Sequence, residues 1–431
     1  MSDPHGHENL PPADLMSEDR LRAGLGQIQK VALALGVIFL GIPAAAAIIM
    51  PQSQAELFFR SYLFAYTFWW GLAMGCGGLA MIHNLTGGKW GQAGRRVFVA
   101  GSGTMFVMVF LAIPLLLAVV FHHMYWWAGY GDPNPEGVGA HKKLFLTPEN
   151  VLSRGVVYFI IWLTISVVVI VGSRHVERTG RWAVARVYAG ISGVLLILYV
   201  LTDTFAAVDW SMSLTPQWYS TMYALIFVAG QGLSAFAFTL IVVSNLVKYE
   251  PQGRQVTLDQ FNDLASFTFT FTVLWAYMSF GQLLISWMGN LKNEMAWYVP
   301  RTHGHWEILG VSLILFQFFA PFLLLLQKPI KRNPPLLMKI GLFILFMRLV
   351  DIFWTLKPAF PAGGQVSWMD PLIPIGIGGI FVAAFVWRLK ADPFALPPLI
   401  TEHTAVEARG LALEGATEYG SAISRRKGPV P

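Results

Sequence analysis

Apolar stretches of about 20 residues, the length that crosses a bilayer, recur ten times along this 431-residue chain. No other feature restricts its fold as much. They run Val31–Met50, Phe58–Ile82, Val97–Phe121, Val151–Gly172, Val184–Thr204, Tyr219–Val247, Phe261–Met288, Ile308–Gln327, Leu336–Leu356 and Leu372–Trp387. Only 13% of residues are charged, against about 25% in soluble domains. The expectation is an all-α polytopic membrane protein of ten transmembrane helices. Residues 27–390 would form its one membrane domain. Residues 1–26 and 391–431 lack a sustained apolar period and are expected to be disordered tails.

Ten is even, so both tails share a side. Of the 30 Lys and Arg, 22 fall on that side and seven on the other, with Arg348 inside a span. Positive loops stay in the cytoplasm, so both termini are expected there. The longest opposite-side loops, 122–150 and 289–305, are rich in Trp and Tyr. They are expected to dock partners, and Arg301 and Glu307 are expected to pair on that surface. The basic balance then reports topology, not nucleic acid.

The chain also matches itself. Shifted by 159 residues, Ser61, Ala65, Phe68, Gly71 and Ile82 meet Ser220, Ala224, Phe227, Gly230 and Ile241. Shifted by 148, Leu201, Asp203 and Phe205 meet Leu349, Asp351 and Phe353. Intramembrane aspartates are rare, so the second match carries more weight. It predicts two tandem parallel four-helix bundles, spans two to five and six to nine, flanked by spans one and ten. The halves would cover about 58–210 and 217–360. Gly71 and Gly75, and Gly376, Gly378 and Gly379, predict close helix approach at spans two and ten.

Arg348 and Asp351 lie near the middle of span nine, where each charge costs about 2.5–3.5 kcal/mol. Spaced i, i+3, they share one helix face and can pair. Two readings stand: a pair that pins helix orientation, or part of a proton relay, the common use of ionisable groups at this depth. Asp203 occupies the matching place in span five, with hydroxyls of Tyr199, Thr202 and Thr204 nearby. Asp209 lies beyond it. Tyr66 and Tyr223, with Tyr62 and Tyr219, are weaker candidates for hydrogen-bond chains. His83, at the end of span two, is another. None of the ten histidines is central in a span, which argues against a bis-histidine haem. The single cysteine, Cys76, excludes an iron–sulfur site made by this chain alone. No phosphate-binding G-x-x-x-x-G-K-[ST] run is present.

The strings FFRSYLFAYTFWWGLAMG, TFAAVDWSMSLTPQWYSTMY, FGQLLISWMGNL and FMRLVDIFW are long and polar-aromatic. With MIHNLTGGKWGQAGRR they resemble the F-subunit family of bacterial alternative complex III, itself similar to polysulfide-reductase-type, NrfD-like membrane proteins. The resemblance spans roughly residues 25–395. It implies a non-catalytic subunit of a respiratory quinol:electron-acceptor oxidoreductase in the bacterial cytoplasmic membrane, serving as scaffold and proton path. It implies partners: a paralogous ten-helix subunit, an iron–sulfur subunit, multihaem cytochrome c subunits and a terminal oxidase. Haem c and iron–sulfur clusters would sit in those partners, and quinol would be used by the complex. Carried over, the matching positions are Asp203, Asp209, Arg348 and Asp351. The MIHNLTGG string holds one histidine, His83, where relatives are expected to hold two. A secondary transporter and a purely structural anchor are the alternatives.

Overall fold

A computed structural model describes residues 15–132, 138–360 and 364–394. The calls on the tails therefore fall largely outside the described residues. Each apolar stretch is occupied by one long helix: α1 Glu18–Ile49, α2 Gln52–Thr86, α3 Lys89–Val120, α4 Pro148–Thr179 and α5 Trp182–Trp210. The second half supplies α6 Met222–Leu246, α7 Leu258–Gly289, α8 His305–Leu325, α9 Pro334–Leu356 and α10 Met369–Leu389. Among the described residues the only β pairing is an isolated bridge between Met16 and Tyr249.

Eight of these helices are long and apolar enough to cross a membrane. The two outside that group, α2 and α9, differ for physical reasons. Helix α2 is rich in Trp, Tyr and Gly, and nearly all of Phe58–His83 is buried in protein. Such a helix need not be lipid-like. Helix α9 carries Lys339, Arg348 and Asp351 within its apolar length.

Local chemistry explains the ends and breaks. Helix α1 starts at Glu18, inside the stretch expected to be a tail. Glu18 and Asp19 fill its first turn, where the helix dipole favours acids. Arg22 pairs with Glu18 at 2.7 Å, and Leu21 and Leu25 are buried. Helix α3 breaks at Thr104 and again at Ala112, just before Pro114. Helix α8 widens into a π turn over Leu313–Phe319. The following Pro321 has no N–H to offer the carbonyl four residues back, that of Gln317.

Helix α2 packs on α3, α5 and α6. Helix α6 packs on α7 and α9, α4 on α5, and α1 on α10. Most buried apolar side chains form one continuous cluster. A smaller one, Ala229, Trp275, Leu313 and Met347, fills the space between α6, α7, α8 and α9.

The α2–α6 contact is set by the predicted glycines. A Cβ on Gly75 would collide with the Gln231 carbonyl and come within 3.1 Å of the Ala235 Cβ. A Cβ on Gly71 would stand 3.1 Å from the Gln231 side chain. Gly75→Ala should therefore force the two helices apart. We expect a loss of about 1–3 kcal/mol, the usual cost of overpacking, read as a lower Tm of the detergent-solubilised protein.

Candidate functional site

The charged centre gathers around the middle of α6. Arg348 and Asp351, one turn apart on α9, form a buried ion pair. The Arg348 guanidinium lies over Gly230, where any side chain would collide with it. Gln317 joins from the π turn of α8. Its amide can point Nε2 at Asp351 Oδ2, 3.3 Å away. Turned over, its nitrogen donates to the Met347 carbonyl at 2.8 Å and its oxygen accepts from Arg348 at 3.2 Å. Only the second orientation pairs both ends of the amide, so we adopt it.

Asp203, fully buried on α5, approaches the next residue of α6. Gln231 Nε2 donates to Asp203 Oδ1 at 2.7 Å, and the Tyr199 hydroxyl donates to Gln231 Oε1 at 2.6 Å. Among the described residues Asp203 Oδ2 has no hydrogen-bond partner. Consecutive helix residues differ by about 1.5 Å in height and point about 100° apart. Asp203 and the Arg348 guanidinium therefore meet α6 at one level from different sides, and Asp351 is linked to it through Arg348. The environments of the two aspartates differ. Asp351 faces a cation, whereas Asp203 faces an amide and one open oxygen.

Other expected site residues have structural partners. Asp209 is clamped by Arg154 at 2.7 and 3.0 Å and by the Tyr158 hydroxyl at 2.9 Å, tying α4 to α5. Thr202 and Thr204 donate to the carbonyls of Leu198 and Val200, each at 2.7 Å, so neither hydroxyl is given to Asp203. Tyr62 and Tyr66 serve the break in α3 at Ala112. The amides of Ala112 and Leu115 bond to Val109 and Ala112 there, which frees the carbonyls of Met108 and Leu111. Tyr66 donates to the first at 3.2 Å and Tyr62 to the second at 2.6 Å. Tyr223 shares a 2.5 Å hydrogen bond with Ser211 and packs on Trp218. His83 bonds the Gly88 carbonyl at 3.1 Å and packs on Trp90, fixing the turn into α3.

The expected Arg301–Glu307 surface pair does not form. Arg301 is 1% exposed and donates to the carbonyls of Trp297, Trp354 and Thr355. Two of those belong to the last turn of α9, where the helix dipole favours a cation. Lys357 follows the end of α9. It is buried, paired with Asp370 at 2.6 Å, and Asp370 also accepts from Ser61 at 2.6 Å. Gln231, Gln317 and Asp370 were missed. A glutamine inside an apolar helix was the available signal for the first two.

Loops 122–150 and 289–305 turn their aromatic residues inward. Trp126 donates to the Ser213 carbonyl at 2.8 Å, and Trp297 stacks on Trp218 with centroids 5.3 Å apart. Trp126, Trp127, Trp297 and Tyr298 are all buried. These buried aromatic residues build an internal cap. Among the described residues no group of three His, Cys, Asp or Glu is placed to hold a metal ion. No protein-family model matches this chain, and no curated protein does.

Lys142 latches the cap. Its Nζ donates to the carbonyls of Pro216 and Trp218 at 2.6 and 3.0 Å. Burial pulls its pKa down from 10.5 to about 8. The unfolded chain then binds more protons than the folded one between those values. Stability contributed at this site should therefore rise with pH from about 8 toward 10.5 and be flat below. Amine acylation followed by peptide mapping should show Lys142 reactivity turning on with a midpoint near 8.

Proposed function

We propose that the chain spans the bacterial cytoplasmic membrane ten times, with both termini cytoplasmic. It would be the proton-conducting and scaffolding subunit of a respiratory quinol:electron-acceptor oxidoreductase of the alternative complex III type. The observation that carries this reading is two buried carboxyls in unlike settings, one linked to α6 by Gln231 and the other by Arg348, which covers Gly230. One is held by a guanidinium. The other, Asp203, is fully buried with an open oxygen. Ionisable groups at this depth are expensive and are commonly proton stations.

Ten spans are supported by burial. Helices α2 and α9 fall short on composition, yet they are as long as the others and pack against α6. The repeat is supported by neighbours. Helix α2 touches α3 and α5 as α6 touches α7 and α9, and α4 meets α5 as α8 meets α9. This is the pattern of two parallel four-helix bundles joined along α2 and α6. Lys and Arg counts set the orientation.

In this reading Asp203 accepts a proton on Oδ2, becoming a neutral acid that still accepts from Gln231 on Oδ1. It then gives the proton up again. Gln231 holds the carboxyl and receives the Tyr199 hydroxyl, so one amide orients both groups. The Arg348–Asp351 pair stays as a fixed dipole beside the moving proton. Haem c, iron–sulfur clusters and quinol oxidation belong to the partner subunits: a paralogous ten-helix subunit, an iron–sulfur subunit and multihaem cytochromes, with a terminal oxidase beyond them.

The test uses the whole complex in vesicles. Haem absorbance and iron should copurify with the chain. Asp203→Asn keeps the shape and the Gln231 contact. It should leave assembly and electron transfer intact while proton release per electron falls about tenfold or more, the usual scale for loss of a positioned proton-transfer group. Unchanged proton release in an intact Asp203→Asn complex would end the relay reading in favour of a structural anchor. Asp351→Asn strands Arg348 and should cost about 3–5 kcal/mol, seen as poor recovery of assembled complex.

A further inference from the structure

A second set of charges lies where α3, α4 and α10 meet, near the ends of α4 and α10 closest to the described C-terminal residues. Arg95 and Arg96 of α3 share one acid, Glu177 of α4, at 3.6 and 2.9 Å. Beside them Arg174 of α4 pairs with Asp392 at 2.7 Å. Arg388 of α10 is near enough to Arg174 for their charges to repel. Among the described residues, four guanidiniums thus lie near two carboxylates.

Arg388 is the residue this balance leaves over. Its Cγ, Cδ and Nε run across Gly103, 3.0–3.2 Å from where a side chain there would begin. Its Nε is buried with no acceptor among the described residues. The stem is therefore seated in protein, its Nε has no acceptor there, and the carboxylate that attracts its charge, Asp392, is already bonded to Arg174. The surroundings are those of a membrane interface. Trp387, next to Arg388, is 62% exposed, and Val171, one turn before Arg174 on α4, is 53% exposed. An exposed tryptophan at a helix end is the usual marker of headgroup level. Basic pockets between helices at that level on the cytoplasmic side take acidic headgroups.

We propose that Arg388 and Arg174 hold the phosphodiester headgroup of an acidic phospholipid, whose acyl chains lie along the exposed apolar faces of α4 and α10. The phosphate supplies the acceptors that Arg388 lacks and removes the repulsion between the two guanidiniums. This requires only that the chain spans a bilayer and does not depend on the respiratory reading.

The test is lipid retention by the full chain in its native complex, read by native mass spectrometry in nanodiscs of phosphatidylglycerol mixed with phosphatidylcholine. The unaltered protein should keep phosphatidylglycerol over phosphatidylcholine, and millimolar inorganic phosphate should not displace it. Arg174→Gln with Arg388→Gln should cut that retention roughly tenfold or more, from about 1 kcal/mol per basic side chain at a membrane surface. Arg174→Lys with Arg388→Lys keeps the charge and should retain most of it, which separates lost binding from lost folding. Lys248→Gln should change nothing. Undiminished retention in the Gln variant would overturn the proposal. So would a rise in retention when the chain is cut after Phe394, because the acidic residues beyond it, Glu402, Glu407, Glu414 and Glu418, would then be the occupant. Displacement by inorganic phosphate would overturn it as well, since the site would be a free-anion site.

Discussion

The close approach of α2 to α6 is the contact from which the rest of the molecule is organised. It exists because Gly71 and Gly75 present no side chain to Gln231 and Ala235. In a bilayer, helices gain little from hiding apolar surface, so short-range packing and polar bonds must hold them. Small residues let two backbones come near enough for both. The consequence reaches beyond packing. With α2 held against α6, Gln231 is kept away from lipid and aimed at Asp203 and Tyr199. One residue earlier, Gly230 leaves room on another side of α6 for Arg348.

A common rule governs the buried polar groups of this interior. Where the chain breaks or ends a helix, it supplies a partner for the carbonyls released. Tyr62 and Tyr66 both serve the interruption of α3 at Ala112, and Arg301 closes α9. Where it buries a charge, it usually buries the counter-charge as well: Arg154 with Asp209, Lys357 with Asp370, Arg348 with Asp351. Such pairs roughly break even against their desolvation and act mainly to fix geometry. Asp203 departs from the rule. It is as deeply buried as Asp209, yet it has an amide where Asp209 has a guanidinium. That contrast separates a structural carboxylate from a functional candidate, and residue type alone does not reveal it.

The loop-side cap follows the same economy of polar groups. Loops 122–150 and 211–221 carry backbone groups that would be costly if buried without partners. Indole and phenol groups satisfy several of them from within: Trp126 and Trp127 reach Ser213, and Tyr125 reaches the Trp210 carbonyl. Lys142 adds a charged latch. The result is an aromatic layer at the Trp210 end of α5.

The existence of all ten long helices was legible in the primary structure. So were their approximate limits, the glycine contacts of α2, and the pairing of Arg348 with Asp351. Each depends on local spacing: about 20 apolar residues make a helix of bilayer length, and i, i+3 neighbours share a face. What decided the site was which side chains from distant segments converge. Gln231 meets Asp203, and Gln317 meets Arg348, only because α6 and the π turn of α8 are brought beside α5 and α9. Thr202 and Thr204 sit near Asp203 in sequence but spend their hydroxyls on their own helix. Lys357 and Arg301 look like surface residues until Asp370 and the end of α9 arrive from elsewhere in the chain. Helical periodicity is written into any window of a few turns. The partner of a buried charge is not, because it comes from a helix tens or hundreds of residues away, and only tertiary packing selects it.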